Sequence, residues 1–451
     1  MLEKLFKLQA KGTNVKTEII AGITTFVTMA YILAVNSNIL SAAGLDEGAV
    51  FVATALGAVV GTVAMALLAN LPLALAPGMG LNAFFAFSVV IGMGFTPQLA
   101  LAAVLIEGLI FIVLSATGIR KAIFNAIPLT LKYAVGAGIG LFIIFIGLQN
   151  AGVVVADGAT LVTMGGITSA APALALIGVF ITIVLLLKRV KGALLIGILA
   201  TWIFGISAQL LGWYVINPEV GAYDLIPDAL VSLPPSLAPT FGMCFEGLKD
   251  IFTSADGIFS FATVVLTFLF VDVFDTVGTL AGVASKAKML DEKGELEKAN
   301  QALLADAIGT TTGAILGTST ITCYIESAAG VQEGGRTGLT SLVTAFFFLI
   351  SLLLSPIFLT IPAFATATAL VVVGILMIEP IGNLKFDDLE DLIPLGITVI
   401  SMPLFYSIST GLSLGFISYV LVKAAAGKFK EVNLLMWILT ILFVVQLILT
   451  H

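Results

Sequence analysis

The chain has 451 residues, 59% of them hydrophobic and only 10% charged, with a mean hydropathy of +1.15. That composition excludes an ordinary soluble domain and describes a chain built for lipid, while the net charge of −7 gives no sign of nucleic-acid binding. With His451 as the single histidine, a buried proton relay or metal site would have to be made of carboxylates alone, and no metal site is expected.

At the N-terminus, Leu2, Leu5, Phe6 and Leu8 alternate with lysines, which predicts a short interfacial helix; no cleavable signal peptide is expected. Apolar segments then follow at 18–42, 49–70, 75–93, 98–117, 127–150, 171–187, 192–212, 257–283, 301–315, 318–332, 338–356, 363–379, 392–408 and 411–426. Most are about 17 to 25 residues long, enough to cross a hydrocarbon core of roughly 30 Å as helix. A transmembrane β-barrel would alternate apolar and polar residues instead. The expected class is therefore an all-α polytopic membrane protein with fourteen spans. The run VNLLMWILTILFVVQLILT at 432–450 is either a fifteenth span or a helix lying against the membrane or a partner.

Basic residues orient the spans. With the N-terminus inside, 18 of the 20 lysines and arginines fall on cytoplasmic segments, Lys132 can snorkel, and only Lys249 is misplaced. Omitting one internal crossing inverts every later loop, so the even count follows. A multi-pass protein of the plasma membrane (bacterial inner membrane) with a cytoplasmic N-terminus is expected. Cys244 and Cys323 suggest no disulfide framework.

Seven spans precede the long connection 213–256 and seven follow it. In each half the third span is interrupted, by Pro and Gly in LPLALAPGMGLNAFFAF (71–87) and by Gly, Ser and Thr in LGTSTITCYIESAAG (316–330). Because seven is odd, the second half lies inverted relative to the first, and paired broken helices in such repeats point to a binding site. Measured from Gly78 to Gly317, the repeat offset is 239 positions.

The polar residues concentrate at these places. In FLFVDVFDTVGTLAG, Asp272, Asp275 and Thr279 share one face of the eighth span, and carboxylates at mid-membrane cost about 2.5 to 3.5 kcal/mol each to insert, which marks them as functional. Capping of a neighbouring broken helix is the structural alternative. Glu326 follows the break in the tenth span, where it could instead cap the half-helix. Asn82 holds a comparable place in the third span, Phe84 and Tyr324 could offer a stacking face, and Glu107 reads as a structural hydrogen-bonding acid. Acceptors, amides and aromatic faces together suit a flat polar heterocycle with N–H donors, and titratable carboxylates without a metal suit coupling to protons.

These motifs resemble the nucleobase/cation symporter-2 family, in its purine branch of AzgA-like guanine/hypoxanthine and adenine permeases. The resemblance runs through TEIIAGITTFVTMAYILAVN, APGMGLNAFF, FVDVFDTVGT and GTSTITCYIESAAG, essentially the whole chain. It implies a UraA-like seven-plus-seven inverted repeat with short extended segments in spans 3 and 10. It also implies a division into a core domain (1–117 and 257–356) and a gate domain (118–212 and 357–428). The extracytoplasmic connection 213–256 and the C-terminal apolar helix 429–451 complete the chain. By the same resemblance Glu326 and Asp272 hydrogen-bond a purine nucleobase, Asn82 supports it and Asp275 couples proton movement; Tyr324, Thr279 and Phe84 are further expected ligand-binding residues from their places in the motifs, and Asp272 a further proton-coupling group. H⁺ rather than Na⁺ is the expected coupling ion, no cofactor is needed, and the partners are lipid and a second copy in a homodimer. The related uracil and xanthine branches use glutamate in the eighth span where this chain has aspartate.

Two other functions are open to the same residues. An anion exchanger or channel on this scaffold would bind its ligand at the half-helix N-termini, but three acids beside the site repel anions. An intramembrane aspartyl protease needs two aspartates on facing helices, whereas Asp272 and Asp275 share one helix. The chain is thus expected to be a transporter and not an enzyme.

Overall fold

Backbone polar groups have no water to bind in lipid, so apolar runs close their hydrogen bonds internally as helices. In the computed structural model, which describes residues 2–117, 127–217, 222–251, 255–286, 289, 296, 298–383 and 388–450, each of the fourteen apolar segments is helical or a strand followed by a helix. In order these are α1 (Leu2–Phe6), α2 (Val15–Met29), α3 (Ile32–Ser41), α4 (Glu47–Ala64), β1 (Leu75–Pro77), α5 (Met79–Ala83), α6 (Pro97–Thr117) and α7 (Leu129–Asn150). The hairpin β2 (Val154–Asp157) and β3 (Leu161–Met164) comes next, then α8 (Ala170–Leu187), α9 (Ala193–Leu210), α10 (Met243–Asp250), α11 (Ala255–Lys286) and α12 (Ala299–Leu316). The chain continues as β4 (Ile321–Cys323), α13 (Ser327–Gln332), α14 (Gly338–Ser351), α15 (Ser355–Leu359), α16 (Ala363–Ile378), α17 (Leu389–Leu404), α18 (Ile408–Ala425) and α19 (Leu434–Thr450). Among the described residues, nine helices are long and apolar enough to cross a membrane.

The two broken spans meet. β1 pairs antiparallel with β4, Leu75 opposite Cys323, Ala76 opposite Thr322 and Pro77 opposite Ile321. Two three-residue strands leave their outer edges unpaired, and buried backbone groups must find partners. Threonines on neighbouring helices supply them: Thr62 of α4 donates to the Leu75 carbonyl (3.1 Å) and accepts from its amide (2.9 Å). Thr310 of α12 does the same for Ile321, at 2.8 and 3.2 Å. Behind the strands α4 and α12 cross closely, and a Cβ on Gly309 would lie 3.2 Å from the Gly61 Cα and 2.9 Å from the Ile321 side chain. Matching features recur 248 positions apart (309 against 61, 310 against 62, 327 against 79, the last pair beginning α13 and α5). This corrects the offset of 239, because Gly317 closes the C-terminus of α12 in a left-handed conformation (φ +99°) while Gly78 precedes α5.

Three further departures have local causes. The first span is two helices that break at Ala30–Tyr31. The interfacial helix ends at Phe6 because Lys7 takes φ +53°, so Phe6 and Leu8 bury against Leu339 while Leu2 and Leu5 stay exposed. The hairpin β2–β3 is exposed and was not expected from the sequence.

Packing divides the helices into two groups. α2, α4, α6, α11, α12 and α14 pack around the paired strands, whereas α7, α8, α9, α16, α17 and α18 pack on one another. Contacts between the groups are small: Gly80 against Ile139, Gly192 against Val27, a Thr267–Ser409 hydroxyl pair at 3.1 Å, and an ion pair from Lys191 to Glu333. α19 lies against both groups, with Phe443 on Phe416 (5.4 Å between centroids) and on Phe270 (6.4 Å).

Glu18 ties α2, in the first span, to the start of α14. Its buried carboxylate accepts from the Arg336 amide (2.9 Å), the Thr337 hydroxyl (2.8 Å), and the Thr340 amide and hydroxyl (3.0 and 2.7 Å). Glu18→Ala orphans these buried donors, and a stability loss of about 3 kcal/mol is expected, read as a lowered melting temperature in detergent.

Candidate functional site

The paired strands end at Pro77 and Gly78, and the surrounding side chains converge there. Proline has no amide to give the ladder, and its carbonyl at the strand end takes the Tyr324 hydroxyl (2.5 Å) and the Asn82 side-chain amide (3.4 Å). The Gly78 amide continues the pairing to the Thr320 carbonyl at 3.0 Å. Ser319 donates to the Asn82 side-chain oxygen, so Asn82 braces one broken span against the other from a buried position. Glu107 is also buried and accepts from the Thr320 hydroxyl at 2.6 Å, the structural role its sequence context suggested.

Two carboxylates face outward from this braced centre. Asp275 and Glu326 are each only half-buried, in contrast to Asp272, Thr276, Asn82 and Ser327, which are fully buried. Asp275 lies over Gly78, where a Cβ would come within 3.2 Å of its Oδ2 and 2.6 Å of the Thr322 methyl. Among the described residues no donor hydrogen-bonds Asp275. Glu326 occupies the N-cap position of α13 without capping it; its Oε1 accepts instead from the Tyr31 hydroxyl at 2.7 Å. Ile325, the residue before it, is 55% exposed. Asp275 and Glu326 lie within electrostatic range of one another, with the neutral Tyr31 and Tyr324 phenols beside them.

The other residues singled out by sequence lie behind this surface. Thr276 stands 2.9 Å from an Asp272 oxygen, 2.9 Å from an Asp306 oxygen and 2.7 Å from the Thr322 hydroxyl, so Asp272 belongs to a buried network under the strands. Thr279 is one turn further along α11 and 8% exposed. Phe84 is wholly buried, its ring edge-on to Phe268 at 4.7 Å. Sequence reading missed Tyr31, Asp306 and Ile325. Asp306, an acid inside the apolar stretch of α12, carried a usable signal; Tyr31 and Ile325 are ordinary residues in apolar runs, and only the fold shows where they face.

Gly78→Ala should therefore lower ligand affinity by about tenfold with expression retained, because the methyl meets the Thr322, Leu81 and Asp275 side chains and displaces the Asp275 carboxylate. Equilibrium binding to the purified variant checks this.

Among the described residues the arrangement supplies two carboxylate acceptors beside the paired strands, which suits reversible binding of a ligand that carries N–H donors. Comparison with known proteins agrees. Residues 16–414 match the family described as Permease family. The guanine/hypoxanthine permease PbuG of Bacillus subtilis is 45% identical over 456 residues, spanning 99% of this chain and 99% of that protein. The adenine permease AdeP of Escherichia coli is 41% identical over 448 residues, spanning 99% and 96%. Among solved structures, the transmembrane domain of the cyanobacterial bicarbonate transporter BicA has a TM-score of 0.64 over 90% of this chain and 97% of that one, at 18% identity, a likeness of fold alone. The chain belongs to the permease family, within the nucleobase/cation symporter-2 group, and is a multi-pass membrane transporter, not an enzyme.

Proposed function

We propose that the chain takes up purine nucleobases (hypoxanthine, guanine or adenine) by symport with protons. The observation that carries this reading is the pair of largely buried but still accessible carboxylates, Asp275 and Glu326, set where two broken spans cross. A purine offers N–H donors along its edge, and charge-assisted bonds from such donors to carboxylate oxygens are among the stronger hydrogen bonds. The full-length relatives are a guanine/hypoxanthine permease and an adenine permease, which supports the same substrates here. Anion exchange is disfavoured by the acids at the site.

Proton coupling follows from having two carboxylates within charge range. Like charges in a poorly solvated site resist ionising together. Glu326 has a donor in Tyr31 and Asp275 has none among the described residues, so Asp275 is the group we assign to carry the proton. Protonated from outside, it removes the repulsion and admits the base; release of base and proton inward resets the pair.

For the movement, we assign α2–α6 and α11–α14 to a core and α7–α9 and α16–α18 to a gate, as a fourteen-span inverted repeat with the N-terminus in the cytoplasm and two copies in a dimer. The common offset of 248 positions supports the repeat, and the sparse contacts between the groups support the division into core and gate. The core then slides against the gate in an elevator-like cycle, exposing the site to each side in turn.

Uptake of labelled hypoxanthine, competed by unlabelled bases and repeated with a protonophore and without sodium, tests the whole reading. Inhibition by purines and collapse with the protonophore alone are expected; competition by sulfate or bicarbonate, or a sodium requirement, overturns it.

A further inference from the structure

Glu326 starts a half-helix, yet its carboxylate is held from a different span. Tyr31 stands at the break between α2 and α3, is 1% exposed, and its hydroxyl lies 2.7 Å from Glu326 Oε1. Among the described residues, the other group within reach of that hydroxyl is the Met79 sulfur at 3.5 Å, a weak acceptor. A hydroxyl has one proton to give, and the short contact to an anionic oxygen takes it.

We propose that Tyr31 is the positioning residue of the site: it occupies Oε1 of Glu326, leaves Oε2 for the ligand's N–H, and keeps the transported proton on Asp275. The proposal rests on the reading of Glu326 as the ligand's acceptor. The titratable groups around Glu326 are Tyr31 from the first span, Tyr324 from its own segment, and Asp275 from α11 with Asp272 behind it. The adjoining half-helix α5 brings Met79, which does not titrate. Two carboxylates thus compete for one proton, and only one of them has a phenol donating to it. A carboxylate without that donor takes up a proton more readily, and protonated Glu326 turns from acceptor into donor, which an N–H of the ligand cannot use.

The test is the pH dependence of hypoxanthine binding to purified Tyr31→Phe protein, a change of one oxygen atom. The direction follows from the mechanism: as pH falls, Glu326 in the variant is protonated before it would be in the parent, so binding is lost on the acid side. Affinity about tenfold weaker near roughly pH 5.5, and within about threefold of the parent near roughly pH 7.5, is expected. A second variant moves the effect the other way. With 3-fluorotyrosine at position 31, a more acidic phenol of nearly the same shape, binding should persist to lower pH than in the parent. An equal loss at every pH, or no loss, overturns the role of Tyr31, as does a fluorotyrosine protein whose profile matches Tyr31→Phe. If the unaltered protein binds no hypoxanthine at any pH, the underlying functional reading fails instead, so the two failures are distinguishable.

Discussion

Glu326→Gln is expected to weaken purine binding by about a hundredfold or more, the largest effect at the site on affinity. Glutamine keeps the length and one acceptor oxygen but replaces the second with an NH₂ group. The Tyr31 hydroxyl can still donate to the remaining oxygen, which leaves the amide NH₂ facing the ligand's N–H, donor against donor. Glu326→Ala removes both oxygens and leaves the buried Tyr31 hydroxyl without its anionic partner. Binding should be lost in that variant as well, with little change in membrane insertion, because the still accessible side chain contributes no cap hydrogen bond to α13. Equilibrium binding of labelled hypoxanthine to purified protein distinguishes these cases. A dissociation constant unchanged in both variants would remove Glu326 from the site.

The second large effect concerns work rather than affinity. Asp275→Asn should abolish concentrative uptake while sparing binding and exchange of base across the membrane. The change is isosteric, so the contact with Gly78 is preserved, but the side chain no longer cycles between charged and neutral. One proton moving with each base allows about fiftyfold accumulation for roughly 100 mV of driving force, from about 2.3 kcal/mol per charge. The variant should level off near equal concentrations inside and out. Asp272→Asn offers a contrast: its oxygen sits in the buried Thr276–Asp306 network, so loss of stability should accompany any loss of transport. Counterflow in vesicles loaded with unlabelled base measures exchange independently of the proton gradient. Proton-dependent accumulation by Asp275→Asn would sink its assignment as the coupling group.

How far these expectations could be read without coordinates depends on the kind of physical signal. Lipid imposes one rule along the whole chain, that backbone groups close on themselves, so apolar length located the apolar helical segments, though not the polar helix α10, and the glycine, proline and threonine runs located the breaks in the third and tenth spans. The cost of carrying acids into that environment likewise made Asp272, Asp275 and Glu326 conspicuous. Composition does not encode which way a side chain turns once it is there. Asp272 and Asp275 are three residues apart on one helix face, yet one is buried under the strands beside Asp306 and the other opens over Gly78. Glu326 occupies a capping position and is drawn off it by a phenol nearly 300 residues earlier in the chain.

Phe84 shows the same limit from the other side, since an aromatic ring beside the break looked suited to stacking and is spent on Phe268. The sequence by itself determined a membrane-spanning helical protein, the place of its two interruptions, and the acids that need a reason to be there. Only the tertiary structure decided that the interruptions pair as strands, that Thr62 and Thr310 complete them, and that Tyr31 reaches Glu326. The physical reason is range: hydropathy and helix periodicity are local properties summed over neighbours, whereas a hydrogen bond between distant segments exists only after packing has brought its two atoms within about 3 Å.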